Sequence, residues 1–333
     1  MWRVLFIGLM AALIGTLGAV GEDDDGIMGV YRGKFISGPL QTSPVSALVV
    51  AEGPQKGGES WNVILVVGEA GKDAKHVEMQ ALSPSKGEPA IGKGSVQFDG
   101  KVEFKAILDK GKLTGALGKK KELSDFALER AEIKSPTLGQ APPEGAVVLM
   151  DGKTLDAWDA YPLKWNIVEE GAAEVCSSGI VTKEAFGSAQ IHVEFRTPFM
   201  PKERGQARGN SGVYVQGRYE IQVLDSFGLE PADNLCGGIY KQAVPKVSAC
   251  LPPLTWQTYD ITFNAPQFDA EGKKTKNATI TVVQNGITIH ENLELNSATP
   301  GGVSDQEAAT GPLYFQNHGN AVRFRNVWLK PLG

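Results

Sequence analysis

The sequence predicts an all-β chain, a two-sheet sandwich of the jelly-roll kind preceded by a small accessory antiparallel β domain. Three observations predict it. Apolar residues recur with a period of two in many short segments, Gly, Pro and Asn punctuate those segments, and the first half holds no convincing helix-period run. A length of 333 residues exceeds one ordinary core and fits two.

Residues 1–21, MWRVLFIGLMAALIGTLGAVG, read as a secretory signal peptide. They carry one cation at Arg3, an apolar stretch from Val4 to Leu17, and small residues at Ala19 and Gly21 before an acidic run. The stretch is short for a bilayer span, so export with no stable membrane span after cleavage is expected, to the periplasm or beyond. An uncleaved anchor is the alternative. With 33 basic and 38 acidic side chains the net charge is −5, which offers no broad cationic surface, and nucleic acid is not an expected partner. In an oxidising compartment Cys236 and Cys250 are disulfide candidates that would close a short loop worth roughly 3 kcal/mol, leaving Cys176 spare. Three separate thiols are the alternative.

Residues 26–134 hold short alternating runs such as SWNVILVVGE, KHVEMQAL, KVEFKAILDKGKLTGAL and DFALERAE, with no clustered acid, base or nucleophile. This is the accessory β domain. SPTLGQAPPEGA, residues 135–146, has three prolines and two glycines and reads as an exposed linker. The sandwich occupies residues 147–333. Its strands begin with SAQIHVEFRTP, where Ile191, Val193 and Phe195 alternate with His192, Glu194 and Arg196. Asn285 and Gly286 mark a two-residue hairpin turn.

In RYEIQVLDS, Tyr219, Ile221 and Val223 share one face, and Glu220 and Gln222 project together from the other. Asp225 has the wrong parity to join them in a regular strand, so a bulge or a strand end must place it. In GPLYFQNHG, Leu313 and Phe315 point to the core while Tyr314, Gln316 and His318 point away. A carboxylate, an imidazole and two amides on a curved sheet suit a polyol, because each hydroxyl wants both a donor and an acceptor. Asn210 beside Ser211 and Gly212, and Tyr240 with Lys241 after a glycine pair, extend the candidate set. A Gly-rich phosphate loop, a His pair at metal spacing and a G-x-S-x-G elbow are all missing, so nucleotide, zinc and esterase chemistry are disfavoured. No cofactor is called for, and a divalent cation stays open. His76, His192 and His290 read as structural or solvated.

The order VVLMDGKTLDAW, NSGVYVQGRYEIQVLDS, CGGIYK, TWQTYDI, LYFQNHG and VRFRNVWLKPL over about residues 146–333 closely resembles the 3-keto-disaccharide hydrolase domain. The resemblance implies a concanavalin A-like sandwich in an exported bacterial protein that cleaves sugars already oxidised at carbon 3. A ketone there acidifies the hydrogen on carbon 2. A base removes it, an enolate forms, and the group on carbon 1 leaves before water adds. By position, Glu220, Gln222, Asp225 and His318 match the family's motif residues. The resemblance makes Glu220 or His318 the base, gives Lys241 or a metal ion the enolate, and has Gln222, Asn210 and Gln316 orient hydroxyls. One departure is PKERGQARGN, residues 201–210, whose extra basic residues extend the site or lengthen a loop.

Two other readings use the same sandwich. The spacing of Glu220, Gln222 and Asp225 is that of retaining β-glucanases, whose paired carboxylates stand about 5 Å apart, although Gln222 replaces the middle acid. A lectin-like glycan-binding module would use the same polar face without turnover.

Overall fold

The protein is described by a computed structural model covering residues 26–56, 58–69, 74–159 and 165–332. The expected signal peptide lies outside these residues. By packing, one unit comprises the residues up to Ile133 together with Phe199–Arg204, and the other Lys134–Pro198 and residues from Gly205 onward. Among the described residues no helix is long and apolar enough to cross a membrane.

The first unit is a closed barrel of eight antiparallel strands: β1 (Gly29–Phe35), β2 (Pro44–Gln55), β3 (Gly58–Val67), β4 (Lys75–Ser83), β5 (Ala90–Gln97), β6 (Lys101–Asp109), β7 (Lys112–Lys119) and β8 (Glu122–Arg130). Each strand pairs with the next, and β8 returns to β1, so the sheet has no free edge to template aggregation. The period-two pattern sets the inside. On β6, Val102, Phe104, Ala106 and Leu108 are buried while Lys101, Glu103 and Lys105 are exposed. Phe126 packs against Phe35 and Phe104 at centroid distances of 6.1 and 5.9 Å. Gly115 makes room for that ring, since a Cβ there would lie 2.5 Å from the tip of Phe126 and 2.1 Å from the Lys105 carbonyl. Gly115→Ala should therefore lower the barrel's unfolding free energy by about 2 kcal/mol, the usual cost of overpacking, as read by denaturant titration.

The second unit is the sandwich. Its strands are β9 (Val147–Met150), β10 (Trp158–Asp159), β11 (Asn166–Ile167), β12 (Ala173–Glu174), β13 (Ile180–Thr182), β14 (Ala189–Arg196), β15 (Ser211–Val215), β16 (Tyr219–Val223), β17 (Gln257–Asn264), β18 (Gln267–Phe268), β19 (Lys274–Lys276), β20 (Ala278–Gln284), β21 (Ile287–Leu295), β22 (Tyr314–Phe315) and β23 (Arg323–Pro331). One sheet runs β10-β13-β22-β15-β16, and the other β11-β12-β23-β14-β17-β20-β21, with β9 on β23. Strands β18 and β19 form a separate ribbon. Aromatic rings join the two large sheets: Phe315 stacks on Phe324 at 4.5 Å, and Tyr219 meets Phe263 at 5.5 Å. Such pairs bury large apolar area and add a geometric preference. The Asn285-Gly286 turn forms as expected, with both residues at positive φ (51° and 79°) between the paired Gln284 and Ile287.

Two sequence expectations change here. The polar side of β14 is not solvated, because residues 135–140 lie on it as a strap. Thr137 donates to Asp260 at 2.6 Å, the Gly139 amide donates to Glu194 at 2.5 Å, and Asn326 and Trp328 donate to the Gln140 carbonyl. Within the expected linker Ser135 is buried and Thr137 and Leu138 are half-buried, while Pro136 and most residues from Gly139 onward are exposed. His192 is fully buried there, 2.6 Å from Asp260, and it stacks on Trp328. Burial alone would raise Glu194, but bonds from His192, Asn326, Arg325 and the Gly139 amide hold it at about 2.

Cys236 and Cys250 stand as free thiols, the alternative reading, and not as a disulfide. Both are buried free thiols, Cys236 Sγ lying 3.3 Å from the Tyr259 hydroxyl and Cys250 Sγ donating to the Leu224 and Leu251 carbonyls; Cys176 is free and exposed. Partners of this kind satisfy a thiol in the core without a crosslink. Thiol titration of the denatured protein should count three thiols per chain; a count of one would restore the crosslink.

Candidate active site

The five-stranded sheet builds the site. Residues 216–218 turn β15 back into β16, with Gln216 and Gly217 at positive φ (53° and 63°), and set Tyr214 opposite Glu220 and Gly212 opposite Gln222. On the other side of β15, Tyr214 pairs with Tyr314, and Tyr314 in turn with Val181. Residues 237–240 then add to the edge of β16: Gln222 N–H donates to the Gly238 carbonyl, and Tyr240 N–H to that of Glu220. Because side chains alternate along strands and align across them, Tyr240, Glu220, Tyr214 and Tyr314 form one row on one face. Gly238, Gln222, Gly212 and Gln316 form the next row.

Glu220 is only 2% exposed. Its Oε2 accepts a 2.7 Å bond from the Tyr214 hydroxyl, and its backbone N–H donates to Thr299 Oγ1. Oε1 lies over Gly212, where a Cβ would come within 2.5 Å of it, and no hydrogen bond to Oε1 occurs among the described residues. Burial drives the carboxyl up to about 7, with the Tyr214 bond opposing the rise. Burial and the Glu220 charge push Tyr214 well above an ordinary phenol, so it stays neutral near pH 7.

The structure sorts the expected site residues. Glu220, Tyr240 and Gln316 share the site face: Gln316 Nε2 donates to the Tyr214 hydroxyl at 3.1 Å, and Tyr240 borders Glu220, half-buried. Asn210 and Gln222 are braces. Gln222 Nε2 donates to Asn210 Oδ1 and to the Ser211 carbonyl at 2.8 Å each, and Asn210 Nδ2 is spent on Gln206. Asp225 leaves the face as β16 ends and accepts a 2.6 Å bond from Arg208 Nε in a buried ion pair. Arg208 of the basic 201–210 segment thus supports the fold, while Phe199–Arg204 pack with the barrel unit. Lys241 is exposed at φ 58°, its ammonium 5.4 Å from the Tyr240 ring centre. His318 lies three residues past β22 and is exposed; no hydrogen bond or ion pair joins it to Glu220 among the described residues. Strand β22 ends at Phe315, so regular alternation does not extend to His318, and no bond joins the imidazole to the acid among the described residues.

Sequence motifs did not single out Tyr214, Thr299 and Pro300. Tyr214 was within reach of sequence reasoning, since folding the hairpin about Gly217 sets it opposite Glu220. Pro300 and Thr299 come from a distant loop with no local signal. No three His, Cys, Asp or Glu side chains cluster to hold a metal ion among the described residues.

A β-sandwich with a dry carboxyl, phenols and amides on one face defines a carbohydrate-active domain. The chain belongs to the family of the 3-keto-alpha-glucoside-1,2-lyase-like domain, whose model matches residues 145–330. Among solved structures it is similar to a protein from Parabacteroides distasonis ATCC 8503 described provisionally as a glycosyl hydrolase. The two are 35% identical with a TM-score of 0.53, over 57% of this chain and 85% of that one. A second protein from the same organism, described the same way, is 22% identical with a TM-score of 0.43, over 58% of this chain and 99% of that one. No curated protein matches the chain.

Two outcomes follow from the geometry. Because folding raises the Glu220 pKa, its neutral form stabilises the protein below about pH 4.5, and this contribution is lost as pH rises through about 7. Glu220→Gln should thus equal wild type near pH 4.5 and exceed it by on the order of 2 kcal/mol at pH 8.5, measured as unfolding free energy across pH. Asp225→Asn removes the carboxylate charge from its buried pair with Arg208 and should cost about 3 kcal/mol at pH 7. A loss under half of that in chemical denaturation would mean that the pair is solvated.

Proposed function

We propose that the sandwich is an exported enzyme that cleaves 3-keto-glycosides by elimination and hydration, with Glu220 as the base. The observation that carries this reading is the carboxyl itself: buried, held by one phenol, open at Oε1 over Gly212, and poised near neutrality. In the proposed reaction Glu220 takes the hydrogen on carbon 2, and the electron pair moves into an enolate with the carbon 3 ketone. Re-forming the ketone expels the carbon 1 oxygen, which leaves as an alcohol once protonated. Water then adds across the new double bond, a proton to carbon 2 and hydroxide to carbon 1. Tyr240, beside Glu220 with the Lys241 ammonium near its ring, is assigned to the keto oxygen, and Gln316 to a ring hydroxyl.

The family to which the chain belongs supports this chemistry, and so does the burial of Asp225. With Asp225 bound to Arg208, the β-glucanase reading lacks its second carboxylate. Export rests on the signal-like N-terminus, and amino-terminal sequencing of material from the periplasm or medium should begin after Gly21.

The direct assay offers 3-keto-trehalose and 3-keto-sucrose beside the unoxidised sugars. Wild type should consume only the keto sugars, with kcat/KM rising as pH increases and levelling above about 7, because the base acts ionised. Glu220→Gln should lose about 10³-fold in kcat while staying folded. Full activity in that variant removes the base assignment. Equal cleavage of plain disaccharides selects the glycosidase reading, and binding without turnover selects the lectin.

A further inference from the structure

We infer that Tyr214 is a positioning residue whose single hydroxyl proton has two seats, the Pro300 carbonyl while Glu220 is protonated and the Glu220 carboxylate once it is not. Hydrogen-bond arithmetic around the Tyr214 oxygen carries this assignment, which rests on Glu220 as the proposed base. Three atoms surround the Tyr214 oxygen: Glu220 Oε2 at 2.7 Å, the Pro300 carbonyl oxygen at 3.0 Å and Gln316 Nε2 at 3.1 Å. A carbonyl only accepts, an amide nitrogen only donates, and a phenol has one proton and two lone pairs. With Glu220 neutral every group is satisfied, as Glu220 and Gln316 donate to the phenol oxygen and the phenol donates to Pro300. With Glu220 ionised, the phenol must turn its proton to the carboxylate, and Pro300 loses its donor. The charged arrangement is the stronger single bond, whereas the neutral one has no unpaired partner.

The switch therefore reaches the loop that roofs the site. Thr299 Oγ1 accepts from the Glu220 backbone amide and donates to the Arg218 carbonyl, and Val303 N–H holds the Gly217 carbonyl. Pro300 sits between these anchors. The roof is thus fastened at its centre only while Glu220 carries a proton on Oε2. The titratable groups facing Glu220 are phenols: Tyr214 on β15, Tyr314 on β22 and Tyr240 on the added edge. Lys241 lies by the Tyr240 ring, no ion pair reaches Glu220 among the described residues, and Glu307 of the roof is spent on Tyr219 and Lys274. Among the described residues Tyr214 is thus the one side-chain hydrogen-bonding partner that distinguishes the two charge states.

The test does not use turnover. The full chain with isotope-labelled glutamate carboxyl carbons is titrated by NMR from pH 5 to 9, with Glu220→Gln identifying the Glu220 signal. Wild type should show a midpoint near 7, and Tyr214→Phe, which removes the donor to the carboxylate, a midpoint at least one pH unit higher. Gln316→Met, which removes the amide that polarises the phenol, should move it the same way by less. Hydrogen exchange of residues 298–303, taken as a ratio to Glu220→Gln, should rise several-fold in wild type through the same midpoint. An unmoved midpoint in Tyr214→Phe, or a flat exchange ratio, overturns the two-seat donor. If Tyr214→Phe fails to fold, the Gln316→Met midpoint and the wild-type ratio decide. Neither readout depends on catalysis, so an inactive enzyme that still switches would sink the assigned reaction and not the switch.

Discussion

A carboxyl group folded away from water, with one phenol as its hydrogen-bond donor among the described residues, is the constraint on which this site depends. Keeping Glu220 there takes a sheet that aligns Tyr214 across from it, a glycine at position 212 that leaves space for Oε1, and a loop whose Pro300 carbonyl meets the Tyr214 hydroxyl. Each is a packing arrangement, and together they replace bulk water with one donor. A charge so placed is expensive, which is why the group hovers between its two protonation states near neutral pH.

The opposite sheet shows the same problem solved to the opposite end. Glu194 is as deeply buried as Glu220, yet Arg325, Asn326, His192 and the strap's Gly139 amide surround it, and it stays ionised down to about 2. Two glutamates, each on the polar face of its own sheet, thus differ chiefly in their partners. The one saturated with donors ties the strap to the sandwich, and the one with a single donor among the described residues is held near neutrality. Asp225 belongs with the first kind: its buried bond to Arg208 makes it a girder at the end of β16.

This division narrows the mechanism. Two-carboxylate glycoside cleavage needs a second free acid at a set distance, and the acid nearest in sequence is already committed. A single base beside hydrogen-bond donors suits proton abstraction next to a ketone, where the substrate's own carbonyl carries the developing charge. Membership of the 3-keto-alpha-glucoside-1,2-lyase-like family agrees with that chemistry.

Strand alternation is local, so the sequence alone determined the all-β class, the Asn285-Gly286 hairpin, the core-facing Ile221 and Phe315, and the shared face of Glu220 and Gln222. Even the pairing of Tyr214 with Glu220 was implicit in a hairpin turning on Gly217. Tertiary structure decided what covers each face. Nothing local says that residues 135–140 strap β14, that Pro300 reaches Tyr214, that Cys236 and Cys250 stay thiols, or that β22 stops short of His318. The reason is physical: the period of a strand is written in neighbouring residues, whereas burial, and with it the charge a carboxyl will bear, depends on chain segments tens of residues away.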